Sequence, residues 1–121
     1  MRTDAIGNGR AVLRLPFRAS MLRPGGVVSG PMIMMLADAC MYAVVLSAIG
    51  AVKLAVTTSF SVNFLYGAKP ADLLAEGEIL RLGSRLVVMQ VRVHSEGSDE
   101  PVAHATGTYS IPPRRTPQEL N

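Results

Sequence analysis

One apolar run in the middle of the chain limits the folds that this sequence can adopt. Residues 31–49 read PMIMMLADACMYAVVLSAI, which is close to the length of a membrane-spanning helix. Asp38 lies near its middle, and a carboxylate at the centre of a bilayer costs roughly 2.5–3.5 kcal/mol. No basic cluster flanks the run, and the rest of the chain alternates in the manner of β-strands. We therefore predict the core helix of a globular domain, and a helix that is apolar on all sides should be buried on all sides.

The residues at both ends of the run predict where this helix begins and ends. Gly30 is predicted as the N-cap and Pro31 as the first helical residue, because the first turn does not need the N–H that proline lacks. Gly50 follows the last apolar residue and is a typical C-terminal stop, since glycine readily takes a left-handed conformation.

The remaining segments are predicted to form one antiparallel sheet. Their apolar and polar side chains alternate, and turn residues separate them. The predicted strands are residues 10–17, 55–66, 73–82, 85–95 and 102–111. A sheet of about five strands that curls around one long central helix covers that helix best, so the predicted fold class is α+β. Residues 1–121 are predicted to be a single domain in which residues 1–9 and 114–121 are frayed ends.

Composition and charge exclude several classes of protein. Hydrophobic residues make up 49% of the chain and charged residues only 17%, which excludes a disordered chain. The net charge of +3 comes from scattered basic residues, and the chain has no Trp. A nucleic-acid-binding protein usually gathers its cations beside stacking aromatic rings. We therefore predict no nucleic-acid partner and no membrane partner, whereas an anionic small molecule would suit this charge.

Cysteine usage and the first residues bear on the cellular compartment. Cysteine occurs once, at Cys40, so no intrachain disulfide can form and a reducing compartment is indicated. The first ten residues include an acid and lack the apolar core of a signal peptide. These features predict a cytoplasmic protein.

Asp38 is the most distinctive polar residue of the chain. It is the only side chain between Arg23 and Lys53 that is charged at neutral pH. A carboxylate in so apolar a helix must find a partner, lie at a solvent-filled cleft or have a raised pKa. The residues alone leave two interpretations open, a structural acid that bonds its neighbours and a catalytic acid.

The start of the helix is a second candidate site. Small residues precede Pro31, so backbone N–H groups there are approachable, and a helix N-terminus attracts anions and can polarise a carbonyl. Gly30 lies eight residues before Asp38, which corresponds to about 12 Å of helical rise. A carbonyl held by Gly30 would therefore be served by the carboxylate of a facing subunit. An ordinary tight loop with a glycine cap explains the same residues and stays open.

Other chemistry-bearing residues lack the partners that their chemistry needs. His94 and His104 are single residues on predicted strands, with no second ligand at metal-binding spacing. Ser29 has no His–acid pair nearby, and Cys40 in an apolar helix is expected to be inert packing. We therefore predict no metal and no cofactor.

The methionines of the helix have two interpretations. They are expected to fill the core, and they would also suit an adaptable pocket for an acyl or aryl group, with Met35 as a candidate substrate contact. The cluster comprises Met32, Met34, Met35 and Met41.

Three segments follow one another in an order that is typical of one enzyme family. They are GGVVSGPMIMMLADACMYA, VTTSFSVNFLYGAKPADLLAEGEILRLGSRLVVMQVRV and VAHATGTYSIP. With them, residues 17–113 resemble the hotdog-fold acyl-CoA thioesterases, in particular the phenylacetate-pathway (PaaI-like) branch of the 4-hydroxybenzoyl-CoA thioesterase superfamily. The resemblance implies a hotdog fold and homodimers whose sheets join edge to edge. It also implies further pairing into tetramers and sites at the subunit interface.

The resemblance implies catalytic roles for residues of the helix. Asp38 matches the family's acid, which attacks the thioester carbonyl or activates water against it, and Gly30 matches the glycine whose N–H polarises that carbonyl. Ser29 and Pro31 stand where the family commonly has the histidine and the second glycine of His-Gly-Gly, so a hydroxyl replaces an imidazole beside the substrate.

The resemblance also implies contacts with substrate away from the helix. Thr58, on the strand after the helix, is a candidate for a polar role near the thioester. The hairpin at Gly83, Ser84 and Arg85 corresponds to the place where nucleotide or phosphate contacts often fall.

Together these features predict hydrolysis of a small or medium acyl-CoA or aryl-CoA thioester to the free acid and CoA. Two alternatives stay open. A non-catalytic acyl-CoA-binding hotdog protein is consistent with the loss of the histidine at Ser29. An acyl-thioester dehydratase or hydratase would usually need a histidine paired with its acid, and none lies near the helix in the sequence.

Overall fold

One long helix lies against one face of a six-stranded antiparallel sheet in the computed structural model, which describes residues 1–50 and 56–112. The elements in chain order are β1 (Arg2–Gly7), β2 (Arg10–Leu15), β3 (Leu22–Arg23), β4 (Val27–Val28), α1 (Gly30–Ile49), β5 (Val56–Phe64), β6 (Leu73–Leu82), β7 (Leu86–Ser95) and β8 (Pro101–Ser110), with a 3-10 turn at Ala19–Met21. The order in the sheet is β1-β2-β6-β7-β8-β5, and β3 pairs with β4 in a separate hairpin. This is the predicted α+β arrangement of a hotdog fold.

The local sequence patterns located most elements correctly. Strand β6 has the predicted ends, and β2, β5, β7 and β8 begin and end within two residues of their predicted bounds. The helix begins one residue earlier than predicted, since Ser29 and not Gly30 is the N-cap. The reason is that the N–H of Ile33 donates to the carbonyl of Ser29 at 3.4 Å, which makes Gly30 the first helical residue.

The prediction that residues 1–9 are a frayed end was wrong. Arg2–Gly7 forms strand β1, which pairs with β2 and adds a sixth strand to the sheet. The turn between them is Asn8-Gly9, with φ of 53° and 76°, and this dipeptide is a strong hairpin signal because the tightest hairpin turns need two left-handed residues. All side chains of β1 are exposed, so no apolar alternation marked the strand. The other predicted frayed end, residues 114–121, lies outside the described residues.

Two glycines allow the helix to lie close to the sheet. A Cβ atom added at Gly77 on β6 would lie 2.8 Å from Cγ2 of Val44 and 2.9 Å from Sγ of Cys40. A Cβ atom added at Gly107 on β8 would overlap the sulfur of Met41. The apolar core forms between these two contacts, because side chains from the buried side of the helix interlock with those of the inner sheet face.

Cys40 is part of this core, as predicted. Its thiol is buried, and its single S–H is shared between two weak acceptors, the carbonyls of Ala11 at 3.6 Å and Ala75 at 3.5 Å. Burial raises the pKa of Cys40 to about 12. The thiolate is the reactive form of cysteine, so this side chain is inert packing at neutral pH.

The prediction that the helix is buried on all sides was wrong for the single chain. The exposed fractions of Met34, Met35 and Tyr42 are 41%, 43% and 49%, and Pro31 and Asp38 are also exposed. We call these five residues the open face of the helix. A sheet can cover only one side of a cylinder, so the apolar residues on the other side stay uncovered.

The helix also satisfies the length and composition criteria for a membrane span, as the sequence indicated. It is the one helix within residues 1–50 and 56–112 that does so. In the structure its covered side contacts β2, β6 and β7, which is the arrangement predicted for a core helix.

Arg14 connects four segments on the outer face of the sheet. Its guanidinium contacts Asp4 at 2.9 Å, Asp72 at 3.1 Å and Glu96 at 2.9 Å. The carboxylate of Asp72 also accepts the N–H of Phe17 at 2.7 Å. These contacts connect β1 and β2 to the start of β6 and the end of β7.

The close helix–sheet contact at Gly77 gives a prediction about stability. Gly77→Ala should lower the free energy of unfolding by about 1–3 kcal/mol, because the added methyl group must displace the stiff side chain of Val44. Urea denaturation followed by circular dichroism measures this change. Thr106→Ala, at an exposed position of β8, is the control and should change stability by less than about 0.5 kcal/mol. Equal stability of the wild type and the Gly77 variant would contradict the packing argument.

The ion pairs of Arg14 give a prediction about acid stability. Hydrogen bonds from Arg14 lower the pKa of Asp4, and those from the Phe17 N–H and Arg14 lower the pKa of Asp72. A lowered pKa in the folded state stabilises the fold above the ordinary value of 3.8, and this contribution is lost as the pH falls below that value. Urea denaturation at a series of pH values should therefore show a smaller acid-induced loss for Arg14→Gln than for the wild type, together with lower stability at pH 7. Parallel pH profiles would contradict this assignment.

Candidate active site

Asp38 lies in the middle of the open face of the helix. Met34 and Tyr42 are one turn before and one turn after it on the same face, because residues four apart are neighbours on a helix. Its carboxylate makes no side-chain hydrogen bond or ion pair with another residue in the described parts of the chain. The interpretation of Asp38 as an acid bonded by its neighbours therefore has no support among the described residues.

A buried tyrosine that the sequence analysis missed lies within electrostatic range of Asp38. Tyr109 on β8 is only 4% exposed and pairs in the ladder with Thr57 on β5. Burial raises the pKa of Tyr109, a hydrogen bond with Thr57 lowers it, and the Asp38 carboxylate and Tyr42 raise it further. Asp38, Tyr42 and Thr57 are therefore the groups whose charge or hydrogen bonding affects the ionisation of Tyr109. Tyr42 could have been found from its four-residue spacing, but only the strand register brings Tyr109 here.

Thr58 lies at an irregularity of the edge strand β5. The ladder between β5 and β8 is irregular between Thr57 and Ser59, so Thr58 is the extra residue of a bulge. Its hydroxyl donates to the carbonyl of Thr108 at 3.1 Å. Thr57, which the sequence analysis did not single out, is the residue opposite Tyr109. A contact of Thr58 with substrate stays a prediction.

A groove of about 360 Å³ lies beside the first residue of the helix. A Cβ atom added at Gly30 would lie 3.5 Å from Cζ of Phe64, so the aromatic ring covers one side of this glycine. Ser29, the N-cap, makes no side-chain capping hydrogen bond, and Pro31, the residue after Gly30, is exposed. The residues that line the groove are Arg23, Val27, Val28, Gly30, Ile33, Phe64, Leu65, Tyr66, Gly67 and Ala68.

The remaining predicted substrate contacts lie in two other places. Met35 lines a groove of about 370 Å³ together with Met32, Met21 and Leu15, on the other flank of the helix. Met41 fills the core as predicted, whereas the exposed Met34 and Met35 do not.

The hairpin of Gly83, Ser84 and Arg85 lies at the opposite end of the sheet from Gly30. The N–H of Ile111 donates to the carbonyl of Arg85 at 2.8 Å, so the hairpin lies beside the end of β8. Phe64, which covers Gly30, pairs with Ala103 at the start of β8. The strand from Ala103 to Ser110 spans about 24 Å. One chain therefore brings Gly30 together with Phe64 and Arg23, but not with the hairpin.

The two histidines lie on the outer face of the sheet, away from the helix. Nε2 of His104 is 3.1 Å from Oε1 of Gln90, and Nε2 of His94 is 3.5 Å from Oε1 of Glu76. Within residues 1–50 and 56–112, no group of three or more His, Cys, Asp or Glu side chains is placed to hold a metal ion.

The structure is similar to solved structures of thioesterase-related proteins. A protein from Silicibacter sp. TM1040, provisionally named a thioesterase, is 45% identical, with a TM-score of 0.82 over 92% of this chain and 78% of that chain. A mutant of the phenylacetic acid degradation protein PaaI from Thermus thermophilus is 25% identical. Its TM-score is 0.80 over 92% of both chains.

Sequence comparisons agree with the structural ones. A protein from Saccharolobus solfataricus, provisionally named an esterase, is 32% identical over 106 residues, which cover 88% of this chain and 74% of that protein. The family model described as the thioesterase superfamily matches residues 25–102, more than half of the chain, including Gly30 and Asp38. With its helix, its sheet order and this match, the chain belongs to the thioesterase superfamily, whose general reaction is hydrolysis of a thioester.

Proposed function

We propose that this protein hydrolyses small or medium acyl-CoA or aryl-CoA thioesters to the free acid and CoA, as a member of the PaaI-like branch. The observation that carries the proposal is the position of Asp38, which is a carboxylate without a side-chain partner among the described residues. It lies in the middle of an exposed apolar helix face. A structural acid would not need such a position, whereas a catalytic acid must be accessible to its substrate.

In the proposed reaction, the backbone N–H of Gly30 donates a hydrogen bond to the thioester carbonyl. This bond strengthens as negative charge develops on the oxygen, so it stabilises the transition state more than the ground state. The carboxylate of Asp38 removes a proton from water, whose oxygen attacks the carbonyl carbon. The C–S bond then breaks, and the leaving thiolate takes up the proton to form CoA. Direct attack by the carboxylate, followed by hydrolysis of the anhydride, gives the same products.

The two groups of one site come from different chains in this proposal. Gly30 and Asp38 are about 12 Å apart along one helix, which is too far for both to contact one carbonyl. The outer edge of β5 has no neighbouring strand among the described residues, and β5 reaches the helix start, where a Cβ atom added at Gly30 would lie 3.5 Å from Cζ of Phe64. Antiparallel pairing of two copies of β5 would extend the sheet and cover both open faces symmetrically. Such a homodimer would bring the hairpin at Gly83–Arg85 of one chain toward Gly30 of the other. The same holds if two dimers associate into a tetramer.

A non-catalytic acyl-CoA-binding protein is the second candidate function. Ser29 supports it, because a hydroxyl stands where the family commonly has an imidazole, and its side chain forms no capping bond that would fix its direction. Binding of CoA thioesters without turnover would favour this candidate.

Replacement of Asp38 tests the proposed chemistry. Asp38→Asn should reduce kcat by about 10²-fold or more, because the amide can neither accept the proton from water nor act as a nucleophile. Thiol release from a panel of acyl-CoAs and aryl-CoAs measures the effect. Asp99→Asn, in an exposed loop, is the matched control and should behave as the wild type. Full turnover by the Asp38 variant would rule out the proposed role.

A charge on the open face tests the shared site. Met34→Glu should shift the protein toward monomers and lower turnover at the same time, because burying an unpaired carboxylate in the interface is costly. Sedimentation velocity and thiol release at matched concentrations measure both effects. Ile6→Glu places the same charge on an exposed apolar residue of β1, at the other edge of the sheet, and should change neither. A stable monomer with full activity would contradict the shared site.

A further inference from the structure

Arg23 is held in a fixed position by a tight hairpin before the helix. It pairs with Val27 across the two-stranded β3–β4 hairpin, and the N–H of Gly26 donates to its carbonyl at 3.1 Å. Gly25 and Gly26 have φ of 104° and 77°, a left-handed conformation that glycine adopts without strain. The backbone of Arg23 therefore has a defined place on this turn.

Hydrogen bonds on both sides connect the hairpin to the helix start. The N–H of Ser29 donates to the carbonyl of Met21, and the N–H of Val28 donates to the carbonyl of Ala68, both at 2.9 Å. The distance between the hairpin and Gly30 is therefore set by the backbone. Arg23 belongs to the same rigid local structure as the N–H that is proposed to hold the thioester carbonyl.

The groove beside Gly30 contains one charged side chain among the described residues that line it, and this is Arg23. Its walls are apolar or aromatic, with the rings of Phe64 and Tyr66 on one side. Arg23 takes part in none of the ion pairs that the described residues form. A guanidinium offers a planar pair of donors that fits carboxylate or phosphate oxygens.

We propose that Arg23 binds a negatively charged group of the thioester substrate in this groove and thereby selects for it. This inference rests on the proposed function. The anionic group is either a carboxylate on the acyl part or a phosphate of CoA, since both present the same oxygens to a guanidinium. A single cation between apolar walls favours the acyl carboxylate, because the several charges of a nucleotide diphosphate call for more than one partner. The favoured substrate class is therefore an acyl thioester that ends in a carboxylate.

Three substrates and two variants test the proposal. The substrates are adipyl-CoA, hexanoyl-CoA, which has the same chain length without the second carboxylate, and hexanoyl-pantetheine, which has no phosphate. The variants are Arg23→Gln and the charge-matched control Arg92→Gln, at an exposed position on the outer face of the sheet. Comparison of kcat/KM between substrates within one variant is independent of how much of that variant is folded.

Each source of the anion gives its own pattern. If Arg23 binds the acyl carboxylate, Arg23→Gln should lower kcat/KM for adipyl-CoA about 10- to 100-fold more than for hexanoyl-CoA. A hydrogen bond to a charged group usually contributes about this factor. If Arg23 binds a CoA phosphate, Arg23→Gln should lower kcat/KM equally for both CoA esters and leave kcat/KM for hexanoyl-pantetheine unchanged. Arg23→Lys should restore part of the loss, because it keeps the charge without the paired donors. Equal losses on all three substrates, or no loss on any, would overturn the proposal.

Binding measurements separate this proposal from the proposed hydrolysis. Thioether analogues of the three substrates cannot be hydrolysed, and calorimetric titration gives their affinities for the wild type, Arg23→Gln and Arg92→Gln. If the protein binds these analogues with the expected charge dependence but releases no thiol from the thioesters, the Arg23 proposal is supported and the proposed hydrolysis is contradicted. Affinities that do not change in Arg23→Gln would overturn the Arg23 site even if the wild type hydrolyses every thioester.

Discussion

The close contact between one apolar helix and the inner face of one sheet is the interaction on which the rest of this structure depends. Gly77 and Gly107 make it possible, because any side chain at these positions would meet Val44, Cys40 or Met41. Because the helix lies so close to the sheet, their side chains interlock and bury the apolar surface on which the stability of a small domain depends. The charged contacts of the outer face add connections between strands around Arg14, whose side chain is only 14% exposed.

The same contact creates the functional surface, because a sheet that covers one side of a helix leaves the other side open. An evenly apolar helix then presents apolar residues such as Met34 and Tyr42 around the single acid, Asp38. An exposed apolar face is a typical surface for association. The proposed partner and the accessibility of the acid therefore have one physical origin. In the proposed function, the second chain both covers the apolar face and completes the site.

The helix start explains how a thioesterase-superfamily chain can differ from its relatives without losing the fold. Ser29 and Pro31 change the residues on either side of Gly30, yet Gly30 keeps its N–H, and the hairpin before it is fixed by backbone bonds. In the proposed function, the reaction needs the carbonyl donor Gly30 and the acid Asp38, and both are present. In the further proposal, Arg23 approaches the groove from another segment and selects the thioester.

The sequence by itself determined the helix and five of the strands of this protein, together with two of its candidate catalytic residues. Apolar periodicity located the helix and five strands, and Asp38 and Gly30 were identifiable because one is an isolated charge and the other precedes a helix. The Asn8-Gly9 turn was also identifiable from adjacent residues. The exposed strand β1 before it was not, because it carries no apolar pattern. Only the tertiary structure decided which side of the helix stays open, that Tyr109 lies opposite Thr57, and that Arg23 shares a groove with Gly30. These contacts join residues far apart in the chain, and they depend on strand register, a bulge and the height of the helix above the sheet, none of which a local pattern encodes.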